Sequence, residues 1–153
     1  MENRMKKFQP KPGQVDFTNA RFAPVINCVV KYKNKILIVQ RSKSLNFYPE
    51  FWNGISGFLD DNRLLKQKIY EEIFEELGIV AKNIISAKLG NIFHQEASKY
   101  KKVWIVHPIL VEVKTDKIKL DWEAQNYKWI KFQDAKKFKL LPGFDRVLEE
   151  IKK

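Results

Sequence analysis

In the stretch "KIYEEIFEELGI", Glu71, Glu72, Glu75 and Glu76 stand within two helical turns of one another. On a wheel advancing about 100° per residue, Leu65, Ile69, Ile73 and Leu77 form an apolar stripe, widened by Tyr70 and Phe74. The glutamates occupy the other side. Glu72 and Glu76 are one turn apart beside the stripe, Glu75 is near them, and Glu71 points furthest into solvent. Glu71–Glu75 and Glu72–Glu76 are like-charge pairs at i,i+4, each unfavourable by about 0.2–0.5 kcal/mol. The negative end of the helix disfavours Glu75 and Glu76 by about another 0.3–1 kcal/mol each. No lysine follows any of the four at i+4. A solvated acidic face is the ordinary reading of such a helix. The alternative is that a hard divalent cation relieves the repulsion, because Mg²⁺ is held by a few carboxylates together with water and substrate phosphates.

The surrounding chain must position these carboxylates. The helix itself is expected from Arg63 or Leu64 to Leu77, capped by Asp61 or Asn62 and ended by Gly78. Upstream, "PVINCVVKY" and "KILIVQRS" are β-branched runs joined through Lys33-Asn34-Lys35, which reads as a hairpin. "SKSLNFYPEFWNG" reads as a loop rich in aromatics. Downstream, "IISAKLGNIFHQE" and "KKVWIVHPILVEVK" read as strands paired through Ala97–Lys101, and "YKWIKF" as a further short strand. A short helix is expected over Gln133–Phe138. A terminal helix from Gly143 carries Phe144, Val147, Leu148 and Ile151 on one face. Residues 1–20 read as a loosely attached polar arm, and residues 21–153 as one domain. The expected fold is an α/β (α+β) sandwich, a mixed sheet covered by helices.

Composition narrows the classes of function. The 153 residues carry a net charge of +11 and are 44% hydrophobic, so a packed core is affordable and disorder is not expected. The lysines are spread along the chain, which favours a solvated basic surface over a dedicated polyanion face. The single cysteine, Cys28, lies in an apolar run and reads as a buried structural thiol. The apolar stretch around Val103–Val113 is broken by His107, Pro108 and Glu112, so no membrane span is expected. The N-terminus carries no signal-peptide pattern, and a cytoplasmic protein is the simplest reading. No Ser-His-Asp order, Cys/His cluster or phosphate-cradling loop is visible. His94 and His107 read as structural residues of strands.

Gly57, Glu72, Ile73, Glu75, Glu76, Gly78 and Ile79 resemble the Nudix box, G-x5-E-x7-R-E-U-x-E-E-x-G-U with U apolar, at seven of its nine specified positions over 23 residues. The core "EIFEELGI" is intact. The resemblance extends over residues 22–150, through "YPEFWNGISG" before the box and "DWEAQNYKWIKFQDAKKF" after it. Two positions depart: Arg63 stands where the family has glutamate, and Glu71 where it has arginine. In the family these positions resemble an ion pair bracing loop against helix, and a reciprocal swap would keep the brace with reversed polarity. Arg63 and Glu71 are therefore expected to pair.

The resemblance implies the Nudix fold and hydrolysis of a nucleoside diphosphate linked to another group. In that chemistry water attacks a pyrophosphate phosphorus with assistance from Mg²⁺ or Mn²⁺, which neutralises charge on the leaving phosphate. By the same analogy Glu72 and Glu76 are the leading metal ligands, Glu75 is a further one, and the Gly57 carbonyl adds an oxygen. The general base is left among Glu75, Glu96 and Glu123; the last two also read as ordinary surface glutamates. Arg41 could meet a phosphate or be a strand-end charge. Tyr48 and Trp52, with Phe47 and Phe51, could stack a base or cap the core, and core is favoured. Trp104, Trp122 and Trp129 read as packing residues. The partner expected is a small nucleotide, with no membrane and with a homodimer admitted. The basic charge keeps RNA as an alternative substrate, through 5′-pyrophosphate hydrolysis, and a non-catalytic nucleotide-binding module is the third reading. An isopentenyl diphosphate isomerase shares this kind of fold, but Cys28 within an early strand argues against it.

Overall fold

The computed structural model describes residues 9–153, in eight strands and two α-helices with short 3₁₀ turns between. In chain order these are β1 (Phe22–Tyr32), β2 (Lys35–Arg41), β3 (Trp52–Asn53), β4 (Ile55–Phe58), α1 (Leu65–Leu77), β5 (Ile84–Leu89), β6 (Phe93–Ala97), β7 (Lys102–Val113), β8 (Ala124–Ile130) and α2 (Phe144–Lys152).

The sheet runs β3-β2-β1-β7-β5, with β4 also on β1, β6 on β7 and β8 on β2. β1 and β7 are parallel and the other pairs antiparallel, so the sheet is mixed. Alternation along the strands sorts side chains to two faces. Ala23 and Val29 of β1, Ile36 and Ile38 of β2, and Trp104 and Val106 of β7 pack with Phe144, Val147, Leu148 and Ile151 of α2. Ile26, Cys28 and Val30 of β1, Leu37 and Val39 of β2, and Ile109 and Val111 of β7 pack with Ile69, Ile73 and Leu77 of α1. Both faces of the central strands are therefore covered, which is why those strands read as continuous apolar runs rather than alternating ones. The result is the expected α/β sandwich.

Several local expectations need correction. α1 begins after Leu64, whose backbone N–H donates to the Gln67 side-chain oxygen at 3.1 Å. Asp61 does not cap the helix: its carboxylate is taken by the backbone and side chain of Arg63. Phe74 does not widen the apolar stripe but stands 56% exposed. "IISAKLGNIFHQE" is two strands, interrupted at Gly90–Ile92, each pairing with a different half of β7. β8 starts three residues earlier than expected. The aromatic loop ends in strand, because Trp52 and Asn53 pair with Gln40 and Val39.

The first eight residues of the arm lie outside the described residues. Within its remainder, Phe17 stacks on Phe58 at 5.9 Å, and the Lys102 ammonium donates to the carbonyls of Phe17, Thr18 and Ala20.

Candidate active site

The acidic helix is locked at its C-terminal end first. Gly78 takes φ 71° and its N–H donates to the Phe74 carbonyl at 2.9 Å, closing the last turn in the left-handed conformation that glycine adopts at least cost. On the helix so ended, Glu72 lies next to Gly57 of β4. A Cβ on Gly57 would lie 2.8–3.2 Å from the Glu72 carboxylate, so only glycine lets carboxylate and strand backbone approach this closely.

Glu76 is the most confined of the four glutamates, only 8% exposed, and its Oε2 has no hydrogen-bond partner. Burial pushes its carboxyl well above the usual range, and the neighbouring charges of Glu123 and Glu72 push the same way. Glu123 precedes β8. Its backbone N–H donates to Asp121 Oδ1 at 3.0 Å and its carbonyl accepts from the Ser42 N–H at 2.9 Å, so its backbone is held from both sides. Burial, then Asp121 and Glu72, raise its carboxyl to about 7, against the opposing pull of Arg41.

Arg41 ends β2 beside the same cluster. Its Nε donates to the Phe47 carbonyl at 3.0 Å. Burial lowers its pKa, while Glu76 and Glu123 favour its charge.

Glu72 has a partner not anticipated from the sequence. The Lys68 ammonium lies 3.3 Å from Glu72 Oε1 and 3.5 Å from Asp60 Oδ1, with Lys68 and Asp60 both buried. The expected uncompensated repulsion is therefore partly compensated, from one turn upstream rather than downstream. Glu71 is not the most solvated glutamate either, because Arg63 folds over it and pairs with it while also gripping Asp61 at 2.6 Å. The expected Arg63–Glu71 contact is present, and Asp61 extends it to a three-residue bridge. Glu75 is the exposed member of the set.

A cavity of about 160 Å³ opens beside the cluster. Gly57, Glu123 and Arg41 form the end nearest the glutamates, and Phe47, Tyr48 and Trp104 part of its wall. Tyr48 is fixed there by its backbone N–H, which donates to the Tyr100 hydroxyl at 2.8 Å, and by its own hydroxyl, which accepts from Trp104 Nε1 at 3.0 Å. Trp104 is thus both packing residue and wall.

Two of the candidate site residues fall elsewhere. Trp52 does not line the cavity; it is buried against Phe138 at 5.2 Å. Glu96 is exposed on β6 and borders a separate depression with Arg21, Lys101 and Lys102. Strand alternation is the reason: Gln95 faces the cavity, so its neighbour Glu96 faces away.

Sequence reading missed Lys68, Asp60 and Asp121, together with the buried Asn27–Asn53 amide pair, 2.9 Å apart, on the cavity wall. Lys68 was recoverable, since it stands at i−4 from Glu72. The asparagines gave no signal, because one lies in a strand and the other at a loop end.

The donors suit a hard divalent cation. They are oxygens, one carboxylate oxygen is buried without a partner, and Gly57 leaves room at the backbone. Among the described residues no three acidic, histidine or cysteine side chains already form a closed cage. An Mg²⁺-type site does not require one, since water and phosphate oxygens complete its coordination. Cys28 is buried beneath the cluster, its thiol pushed up by burial and then by Glu76 and Glu72, which leaves it inert.

Comparison with known proteins follows the same lines. The family model of the NUDIX domain matches residues 21–151. None of the curated proteins compared matches the sequence. Among solved structures, a MutT protein from Methanosarcina mazei Go1 is 18% identical, with a TM-score of 0.71 over 88% of this chain and 95% of that one. An Ap4A hydrolase from C. elegans is 21% identical, with a TM-score of 0.67 over 85% and 95%. The NUDIX domain of Shewanella oneidensis NrtR, in complex with ADP ribose, is 14% identical, with a TM-score of 0.71 over 85% and 86%.

Proposed function

We propose that this chain, a member of the Nudix family and a hydrolase acting on acid anhydrides, cleaves a pyrophosphate bond in a nucleoside diphosphate linked to another group, with Mg²⁺ or Mn²⁺. The observation that carries this reading is Glu76, a carboxylate buried against Glu72 and Glu123 with an oxygen left unpartnered. Such a group is costly to bury, and in a structural role it would be paired.

In this reading Glu72, Glu76 and the Gly57 carbonyl hold the cation, and Glu75 joins them from the exposed side of α1. When bound, the cation supplies charge neutralisation at the scissile diphosphate. Glu123 is our choice for general base. Its carboxyl near 7 matches the neutral pH at which a base must accept a proton from water. Arg41 faces the same end of the cavity and is suited to a phosphate oxygen. Phe47 and Tyr48 form an aromatic wall suited to a base. Trp52 and Glu96 drop out of the proposed machinery.

The cations lining this cavity, among the described residues, amount to Arg41. That favours a small nucleotide over an RNA end, which would call for a basic track. No described helix is long and apolar enough to cross a membrane; a cytoplasmic location remains a reading of the sequence.

The test is a hydrolysis screen with ADP-ribose, a dinucleoside tetraphosphate, nucleoside triphosphates and 5′-triphosphorylated RNA, with each metal, on the native protein and on Glu76→Gln. We expect metal-dependent turnover of a small substrate, reduced at least about 100-fold in Glu76→Gln with the fold intact. Binding of nucleotide without release of product would instead make the protein a binding module.

A further inference from the structure

Lys68 is an anomaly on a catalytic helix. Lysine on a helix normally extends its ammonium into water, yet Lys68 is 6% exposed. Burying an ammonium is unfavourable by several kcal/mol before pairing, in order-of-magnitude terms, so its surroundings must hold it. Here they are Asp60 at 3.5 Å and Glu72 at 3.3 Å. Asp60 is itself fixed, because Gln14 Nε2 donates to its Oδ2 at 2.8 Å and the Val15 N–H donates to its backbone carbonyl. The i,i+4 order, lysine before glutamate, is the weaker one for helix stabilisation, so helix support does not explain the pair. What distinguishes the location is Glu72, whose carboxylate rests on Gly57 and faces Glu76.

We propose that Lys68 acts as a fixed positive charge built into the metal-binding carboxylates, limiting how strongly the cluster draws a divalent cation. The proposal rests on the reading that Glu72 and Glu76 hold that cation. Lys68 and Asp60 together contribute no net charge. Neutralising Lys68 alone leaves Asp60 as added negative charge, and neutralising Asp60 alone leaves Lys68 as a stronger competitor for Glu72. The two single changes must therefore move cation affinity in opposite directions. Loss of a mere strut would weaken binding in both.

The experiment is Mn²⁺ binding without nucleotide at neutral pH, by calorimetry or by the resonance signal of free Mn²⁺, with circular dichroism to verify the fold. Lys68→Met is expected to bind Mn²⁺ about fivefold tighter than the native protein, and Asp60→Asn about fivefold more weakly. The double variant is expected within about twofold of native, because both charges leave together. Should Lys68→Met not fold, Asp60→Asn and the double variant decide alone. Weaker or unchanged binding in Lys68→Met, or unchanged binding in Asp60→Asn, would overturn the proposal while the metal site stood. A native protein that binds no Mn²⁺ at all would overturn the metal reading and this one with it.

Discussion

Glu76 and Glu123 carry protons in the folded protein at a pH where an ordinary glutamate has lost them. The cause is mainly burial, reinforced by neighbouring carboxylates. This has a consequence for stability. A carboxyl whose folded pKa lies above its unfolded value contributes stability that is fully present below about pH 4.5 and is lost as pH rises through the folded pKa, about 7 for Glu123. With metal removed by chelator, the melting temperature should fall as pH rises from 5 to 8, and Glu123→Gln should flatten that slope. Added Mn²⁺ should restore the melting temperature at pH 8, since it gives the ionised carboxylates a counter-charge. A melting temperature that rises with pH in chelator would contradict the burial of these groups. Asp61 works in the opposite sense, its carboxyl held near 2 by Arg63, but its window lies below this range. At this scale the sequence was informative wherever chemistry is local in register. The reciprocal charge swap at Arg63 and Glu71 announced their contact. The choice among Glu75, Glu96 and Glu123 was not legible, because it depends on which face of β6 Glu96 takes and on how deeply the turn before β8 is buried.

At the scale of elements, α1 does two jobs with opposite faces. Ile69, Ile73 and Leu77 bind it to the sheet, and Glu72 and Glu76 sit at the boundary of that face. Its placement depends on both ends. Gly78→Ala should destabilise the protein by about 1 kcal/mol, because alanine resists the φ of 71° that the helix end requires. Its Cβ would also crowd Lys119 at 3.2 Å. Chemical denaturation measures this directly, and no loss of stability would mean that the left-handed end is not required. The helix's C-terminal boundary was readable from that glycine. At its N-terminus the start was readable to within a residue but the cap was not, because Asp61 is engaged by Arg63. The loop between β2 and β3 shows the other limit. Across its neck the Glu50 N–H donates to the Arg41 carbonyl and the Arg41 N–H to the Phe51 carbonyl, which turns Phe47 and Tyr48 toward the cavity. Aromatic content revealed that the loop packs, but the division between cavity wall (Tyr48) and core (Trp52) depends on that closure and on strand pairing at Trp52.

At the scale of the molecule, the fold resolves the contrast between a basic chain and an acidic helix. The net charge of +11 is a property of the solvated surface, whereas the carboxylates of Glu72 and Glu76 are gathered where the sheet, α1 and the turn before β8 converge. The layered architecture was legible because two-sided burial of the central strands leaves uninterrupted apolar runs, and because each helix has a single apolar face. The convergence itself was not, since Gly57, Arg41 and Glu123 are far apart in sequence and meet only through the β1–β4 and β2–β8 pairings. The central claim is that this convergence grips a divalent cation against a diphosphate. The most direct measurement is an anomalous difference map from crystals of the native protein soaked in Mn²⁺. The account predicts a peak among the Gly57 carbonyl, Glu72 and Glu76; a map without density there, with the metal bound elsewhere or not at all, would contradict it.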